Sequence, residues 1–274
     1  MDKYIELLQK AIKKQNELSL LNGWKDELLS LAPPVLWFGN NNTNKPKIIT
    51  IGANPSRSEF LNGNNSTLRG ISADNVPYLS KSQQRFYTFD KNELTSDLSL
   101  QKLHEIINSY NNYFTNHPYR SWFGKVNGGK VEALVNSFGA SFYNDGNKQV
   151  LHLDLFPFAT LSDFNKIKHL AEDDLFCNSW AQEFLLNLIS NIEPEIIIVF
   201  GITNYNIFNR LFKNNLKQLA NGKFINHTEN NHTNYLISNF NNIKLVGLSI
   251  NLGNPRGFNR EDLLNLGKKI QDKF

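Results

Sequence analysis

Apolar positions in the first 31 residues recur at Ile5, Leu7, Leu8, Ile12, Leu18, Leu20, Leu21, Leu28, Leu29 and Leu31. This spacing predicts one or two amphipathic helices. The run "APPVLWFGNNNTNKP" breaks the pattern and leads into a different one, Lys47–Ile51, short and continuously β-branched. Three more strand candidates follow: 149–158, apolar at Val150, Leu151, Leu153 and Leu155; 195–201, continuous and β-branched; and the similar 242–251. Continuous runs without alternation fit strands covered on both faces. Helical spacing fills the intervals, at about 121–139, 162–191, 203–220 and 259–273. Alternating strand and helix predicts an α/β fold, a three-layer sandwich with a short, mainly parallel sheet flanked by helices.

Two segments do not fit the alternation. Residues 57–120 are polar, Asn- and Ser-rich and weakly periodic. That is too long for a plain loop in a compact domain, and it reads as an inserted lid with helical pieces near 97–112. The Asn-rich 221–235 reads as a surface hairpin or loop. The expected organisation is therefore one domain over 1–274, with an N-terminal helical extension at 1–45 and an insert at 57–120.

Composition narrows the function classes. A net charge of +4 permits a polyanionic partner without requiring one. The single cysteine, Cys177, excludes an intrachain disulfide framework and a four-thiolate zinc or iron–sulfur site. Its expected role is that of a small, semi-buried side chain. No His/Cys/Asp cluster has metal-ligand spacing, so neither metal nor cofactor is expected. The charged "MDKYIELLQKAIKKQ" is not a secretory signal, and no run reaches membrane-spanning length. A cytoplasmic monomer is expected.

In open α/β sheets the ligand sits beyond the carboxyl ends of the strands, so the residues after each strand carry the chemistry. They are "GANPS" after the first, "LDLFPFAT" at the end of the second, "GITNYNIF" after the third and "INLGNPRGF" after the fourth. In this order the four blocks resemble the uracil-DNA glycosylase superfamily. "GANPS" is similar to the Gly-x-Asn-Pro-Gly of its mismatch-specific and single-strand-selective branches. "HLDLFPF" looks like the strand where those branches carry a base-reading Asn three residues before a Pro; here that place holds Asp154. "INLGNPRGF" stands where the family has His-Pro-Ser or Asn-Pro-Ser-Gly. The departures are Ser56 for Gly, Asp154 for Asn, and Leu252-Gly253 for Pro-Ser. The N-terminal helices and the insert lie outside the resemblance.

The resemblance implies a DNA partner and a monofunctional enzyme. It would flip a nucleotide out of the stack and cleave its glycosidic bond through an oxocarbenium-like transition state, leaving an abasic site. It places Asn54 as the residue that holds the attacking water, with Gly52, Ala53, Pro55 and Ser56 around the base. Asn is no strong base, so its carbonyl can only orient the water. A ligand-free Gly-x-Asn-Pro turn is the plain alternative. Asn251 would donate to the leaving base or to a phosphate. Arg256 and Phe258 would act at the minor groove as gap filler and wedge. Phe123 is the first choice among the aromatics that could stack on the base, followed by Trp122, Phe86 and Tyr87.

Asp154 is the informative departure. A carboxylate only accepts, so it would repel O4 of uracil and accept from the exocyclic amine of cytosine. A protonated Asp154 or a structural turn cap are the alternatives. His152, on the same strand, either tunes Asp154 or is a satisfied core histidine. Together with the Asn- and Ser-rich insert, Asp154 points to a modified cytosine such as glucosylated 5-hydroxymethylcytosine, in an antiphage-defence branch. A uracil or mismatch repair glycosylase, and a non-catalytic nucleic-acid-binding module, stay open. An unrelated hydrolase is disfavoured, since no Ser nucleophile elbow or phosphate loop is present.

Overall fold

The structure is a computed structural model that describes residues 2–63, 71–90, 98–143, 146–251, 255 and 257–274. The protein is α/β, with one mixed, mainly parallel seven-stranded sheet and helices. The strands are β1 (Lys47–Gly52), β2 (Ala140–Ser141), β3 (Lys148–Asp154), β4 (Ile196–Phe200), β5 (Leu216–Ile225), β6 (His232–Phe240) and β7 (Ile243–Leu248). Their order across the sheet is β2-β3-β1-β4-β7-β6-β5. The β1–β4, β4–β7 and β2–β3 pairs are parallel, whereas β6 pairs antiparallel with both β5 and β7. The helices are α1 (Asp2–Ser19), α2 (Trp24–Glu27), α3 (Leu100–Asn111), α4 (Arg120–Phe123), α5 (Lys130–Ser137), α6 (Phe164–Ala171), α7 (Trp180–Ile192), α8 (Ile202–Leu211) and α9 (Arg260–Gln271).

The chain divides into two compact units, each assembled from three stretches. The first holds Met1–Phe38, Ala53–His117 and Asp154–Asn191; the second holds Gly39–Gly52, Pro118–Leu153 and Ile192–Phe274. The expected N-terminal extension and the insert thus contribute chiefly to the first unit, with α6 and α7.

In the second unit the four long apolar runs become the sheet centre. β4 is "IIIVF" and buried throughout, and β1 is buried from Ile48 to Gly52. Side chains with no polar group to satisfy fit a position covered on both faces. α8 packs on the sheet closely enough that a Cβ added at Gly247 of β7 would lie 2.1 Å from the Tyr205 ring. α9 begins with a capping box, in which the Asn259 side chain accepts from the Asp262 amide while Asp262 accepts from the Asn259 amide. Outside the parallel strands, the segment expected to be helical to residue 220 is helical only to Leu211; β5 then starts at Leu216. The Asn-rich surface hairpin exists, but its arms β5 and β6 extend well beyond 221–235.

The first unit has its own aromatic core. Phe86 stacks on Tyr113, with ring centres 4.7 Å apart, and lies 5.7 Å from Phe60. Trp37 Nε1 donates to Asn111 Oδ1 at 3.2 Å, and the Tyr110 hydroxyl donates to the Pro34 carbonyl. These contacts anchor α3, the helix expected near 97–112, to the N-terminal part of the chain. A π-helical turn, Glu172–Phe176, precedes Cys177, which is exposed rather than semi-buried. Among the described residues no helix is long and apolar enough to cross a membrane.

Candidate active site

In the first unit, two stretches carrying candidate residues run side by side. The Ala53 carbonyl accepts from the Phe156 amide at 3.4 Å. On its other flank the 154–161 stretch is held by residues 28–35, through Leu29 N to Ala159 O at 3.1 Å and Val35 N to Pro157 O at 2.8 Å. Asp154 is therefore followed by backbone bonded on one side to Ala53, which precedes Asn54, and on the other to residues 29 and 35.

Asn54 is half-buried, and its orientation is set by chemistry. Its Nδ2 donates to Thr160 Oγ1 at 3.0 Å and to the Phe158 carbonyl at 3.2 Å, with a longer contact to the Pro55 carbonyl at 3.4 Å. A carbonyl can only accept, so the amide nitrogen must face Phe158. Thr160 spends its own hydrogen on the Ser162 carbonyl at 2.9 Å and is left to accept. Asn54 Oδ1 is thus the atom that points away from these partners. Pro55 is buried and Ser56 exposed. Ser56 caps a 3-10 turn, Arg57–Glu59, by accepting from the Ser58 amide.

That turn directs Glu59 inward. Glu59 is 3% exposed, and its Oε2 accepts from the Tyr113 hydroxyl at 2.7 Å. Arg85, whose Nε donates to the His117 carbonyl at 2.7 Å and whose Nη1 donates to the Ser58 carbonyl, supplies a nearby positive charge. Burial pushes the Glu59 carboxyl up to about 7; the Tyr113 hydrogen bond and Arg85 pull it down, and the charge of Asp154 pushes it up again. Asp154, the last residue of β3, is itself buried at 6% exposure. Glu59 lies in the insert, in a polar stretch whose composition suggested a lid, and the sequence analysis did not single it out. Its only signal there is an acid immediately followed by an apolar aromatic, in "SEF".

In the second unit, Gly52 closes β1 and is buried. The chain leaves β1 for β3 on one side and returns to β4 on the other, so the carboxyl end between β1 and β4 is a topological switch point. Near the carboxyl ends of β3 and β4, α4 places Trp122 with its ring centre 4.7 Å from His152 and 5.8 Å from Phe200. Phe123 is turned into the core, 2% exposed, edge-on to Phe142 at 5.1 Å and to His152 at 5.3 Å. Trp122, half-buried, is the more accessible of the two. Phe86, another of the stacking candidates, is a core residue of the first unit at 2% exposure. His152 is buried, with Nδ1 2.9 Å from Thr50 Oγ1, the arrangement of a satisfied core histidine.

Asn251 is exposed just after β7. Phe258 is 8% exposed and rests against Phe224, at 6.2 Å between ring centres, so it does not project as a wedge. Arg256 and Leu252-Gly253 lie outside the described residues. Beside Phe258, His227 Nδ1 meets Asp262 Oδ2 at 2.8 Å and the His227 amide donates to Asp262 Oδ1 at 2.8 Å. Burial raises the Asp262 carboxyl, but the Asn259 amide and the His227 ring and amide outweigh it and hold it below its usual value. Among the described residues no group of three or more His, Cys, Asp or Glu is placed to hold a metal ion. Compared with protein-family models, curated proteins and solved structures, the chain matches none of them.

Proposed function

We propose that the protein is a monofunctional DNA glycosylase of the uracil-DNA glycosylase type, which excises a modified cytosine such as glucosylated 5-hydroxymethylcytosine and leaves an abasic site. The observation that carries this reading is the lock on Asn54. Its amide nitrogen is committed to Phe158 and Thr160, which leaves the carbonyl oxygen as the group available to orient an attacking water. Such a water adds to the sugar on the face opposite the departing base, and its positioning supplies rate without a strong base. The sheet, mainly parallel at its centre and accompanied by helices, is compatible with the three-layer sandwich this reading requires.

The buried position of Asp154 supports its role as reader of the base. A carboxylate accepts a hydrogen bond from the exocyclic amine of cytosine and meets O4 of uracil as one acceptor meeting another. In a buried site that mismatch is expensive. The Asn- and Ser-rich segment 57–120 offers side chains for the hydroxyls of a sugar on the base. The resemblance further gives Asn251 a donor role toward the leaving base or a phosphate, and the partner is DNA.

The test is to incubate the protein with duplexes carrying uracil, a thymine mismatch, plain cytosine or glucosylated 5-hydroxymethylcytosine, and then to cleave with hot alkali. Strand breaks at the glucosylated cytosine, lost in Asn54→Ala with DNA binding retained, are expected. Breaks only at uracil would move the substrate to uracil and remove the role given to Asp154. Binding without any breaks would make the protein a nucleic-acid-binding module.

A further inference from the structure

The net charge of +4 hides an uneven distribution. The second unit carries sixteen Lys and Arg against eight Asp and Glu, whereas the first carries thirteen against seventeen. A basic surplus gathered on one part of a chain is the electrostatic footprint of a polyanionic partner. Within the second unit three segments hold bases and no acid. They are 118–130, with Arg120, Lys125 and Lys130; 221–228, with Lys223 and His227; and 249–260, with Arg256 and Arg260. Arg120, Lys125, Lys223, His227 and Arg260 are exposed, and Lys130 is half-buried.

The fold brings these segments to one edge of the unit. α4 sets Trp122 against Phe200, the last residue of β4. Asn234 of β6 exchanges hydrogen bonds with Ser249, just past the end of β7: its amide donates to Ser249 Oγ at 2.9 Å and its carbonyl accepts from the Ser249 amide at 2.9 Å. Lys223 pairs with Asn234, so the hairpin beyond Lys223 projects past the carboxyl ends of the parallel strands. Hydrogen bonds then join the three segments. Arg260 Nε donates to the Gly128 carbonyl at 3.2 Å, and Nδ2 of the buried Asn226 donates to the Gly257 carbonyl at 2.5 Å. His227 is bound to Asp262 of α9 through its amide and its ring, at 2.8 Å each. The product is one hydrogen-bonded basic rim, bordered by two exposed acids, Glu229 and Glu261.

His227 is the member of this rim whose charge can change near neutral pH. Asp262 is 4% exposed, and its oxygens accept from the Asn259 amide and from the amide and ring of His227. A carboxylate only accepts, so His227 Nδ1 carries a hydrogen. Nδ2 of Asn259 lies 3.3 Å from that ring nitrogen, but Asn259 Oδ1 accepts from the Asp262 amide, so two donors face each other there and make no bond. With Nδ1 committed and the side chain 53% exposed, Nε2 is the ring nitrogen left for a ligand. A bare Nε2 meets a phosphate oxygen as one acceptor meeting another, whereas a protonated Nε2 donates to it with charge assistance. The charged and titratable groups around the ring are Asp262, Arg260 and Glu261 on α9, with Glu229 and His232 on the hairpin.

Resting on the glycosylase reading above for its DNA partner, we propose that this rim is the surface that holds the DNA backbone. Arg120, Lys125, Lys130, Lys223 and Arg260 face phosphates of the duplex, and His227 adds one phosphate contact that exists only while its ring is protonated. Such contacts position the duplex without reading its sequence. Each one adds about 0.9 to the slope of log affinity against log salt, so binding falls about 3.5-fold further per contact between 50 and 200 mM salt.

The experiment measures fluorescence anisotropy of a labelled duplex of ordinary bases, about 20 bp long, from 50 to 200 mM salt at pH 6 and pH 8. None of it needs turnover. The variants are the rim pair Arg120→Gln with Lys125→Gln, His227→Gln, His227→Lys, and a control pair, Lys268→Gln with Lys273→Gln. The control removes the same charge from exposed positions about 12 Å or more along α9 from Arg260. The rim pair should lower the salt slope by about two, and the control pair should leave it unchanged. The parent slope should be about one unit steeper at pH 6 than at pH 8. His227→Gln should keep the shallower slope at both pH values and His227→Lys the steeper one. A His227 that merely braces α9 would not give that exchange.

Equal losses in the rim and control pairs would show that total charge alone matters and would overturn the rim. Parent binding with the same slope at both pH values overturns the contact from His227. Tighter binding of an RNA duplex than of the DNA overturns DNA as the occupant. Base release by a parent whose rim variants bind DNA unchanged overturns the rim and leaves the glycosylase reading standing. Rim-dependent DNA binding with no base released sustains the rim and overturns the glycosylase reading.

Discussion

The orientation of Asn54 can be tested through stability, without any substrate. Asn54→Asp keeps the shape of the side chain and replaces the amide nitrogen by oxygen. That oxygen would face the Phe158 carbonyl, now 3.2 Å from Nδ2, and Thr160 Oγ1, now 3.0 Å away and already donating to Ser162. Two hydrogen bonds worth about 1 kcal/mol each are lost, and an ionised oxygen is pressed against a carbonyl. A total of about 3 kcal/mol is expected at pH 7. Asn54→Ala loses the same two bonds without the repulsion and should cost about 2 kcal/mol. The order of stability at pH 7 is therefore parent, Asn54→Ala, Asn54→Asp. The introduced carboxyl is held above its unfolded pKa of about 3.9, because its protonated form can donate to Phe158. The folded state then binds more protons than the unfolded one between that value and the raised one, so the variant gains stability relative to the parent as the pH falls through this window. Urea unfolding followed by tryptophan fluorescence at pH 7 and pH 4.5 measures both effects. If Asn54→Asp is at least as stable as Asn54→Ala at pH 7, the amide is turned the other way and the water-holding assignment of Oδ1 collapses.

Three other outcomes are expected. Glu59, raised from 4.5 to about 7, contributes stability that is full below its unfolded pKa and declines as the pH rises toward 7; Glu59→Gln removes the decline and gains on the order of 3 kcal/mol over the parent at pH 8, as read by urea midpoints against pH. Asp262 is shifted the other way, so its contribution is present above the unfolded pKa and disappears as the pH falls through the lower folded one; Asp262→Asn should cost about 1–2 kcal/mol at pH 7 and flatten acid unfolding below about pH 4. Gly247→Ala places a methyl 2.1 Å from a buried tyrosine ring, which should cost about 2–3 kcal/mol, with part restored by adding Tyr205→Ala, as followed by thermal melts of the single and double variants.

The parts of the fold that the sequence discloses are those governed by local composition. The β4 stretch "IIIVF" has no polar residue, so a strand covered on both faces is its economical solution, and the apolar majority of β1 and β7 follows the same logic. The start of α9 is legible from an Asn three residues before an Asp. The full extent of the β5–β6 hairpin is not. Phe208, Leu211, Phe212 and Leu216 continue a helical spacing, and Asn221-Gly222 reads as a turn, yet Leu216, Asn221 and Gly222 lie within β5. The cause is non-local. β5 borders a ladder that begins at β7, and Tyr235 of β6 crosses the strand at Gly222, where any Cβ would lie 2.3 Å from its hydroxyl oxygen. The glycine makes room for a ring thirteen positions away, which no local signal reports.

The candidate site divides along the same line. Asn54 and Asp154 could be singled out because they stand just after one strand and at the end of another, and strand ends are visible in a sequence. Phe123 and Trp122 are adjacent, and only the packing of Phe142 and His152 around the first decides which is buried. Glu59 is the clearest case. Its carboxylate partner Tyr113 lies on a helix–turn segment 54 residues later, and its unusual basicity comes first from burial, with a smaller push from the charge of Asp154 at the end of β3. An acid in a polar segment is ordinarily solvated, so composition argues for the wrong environment. What changes its chemistry is the ring of partners that folding supplies.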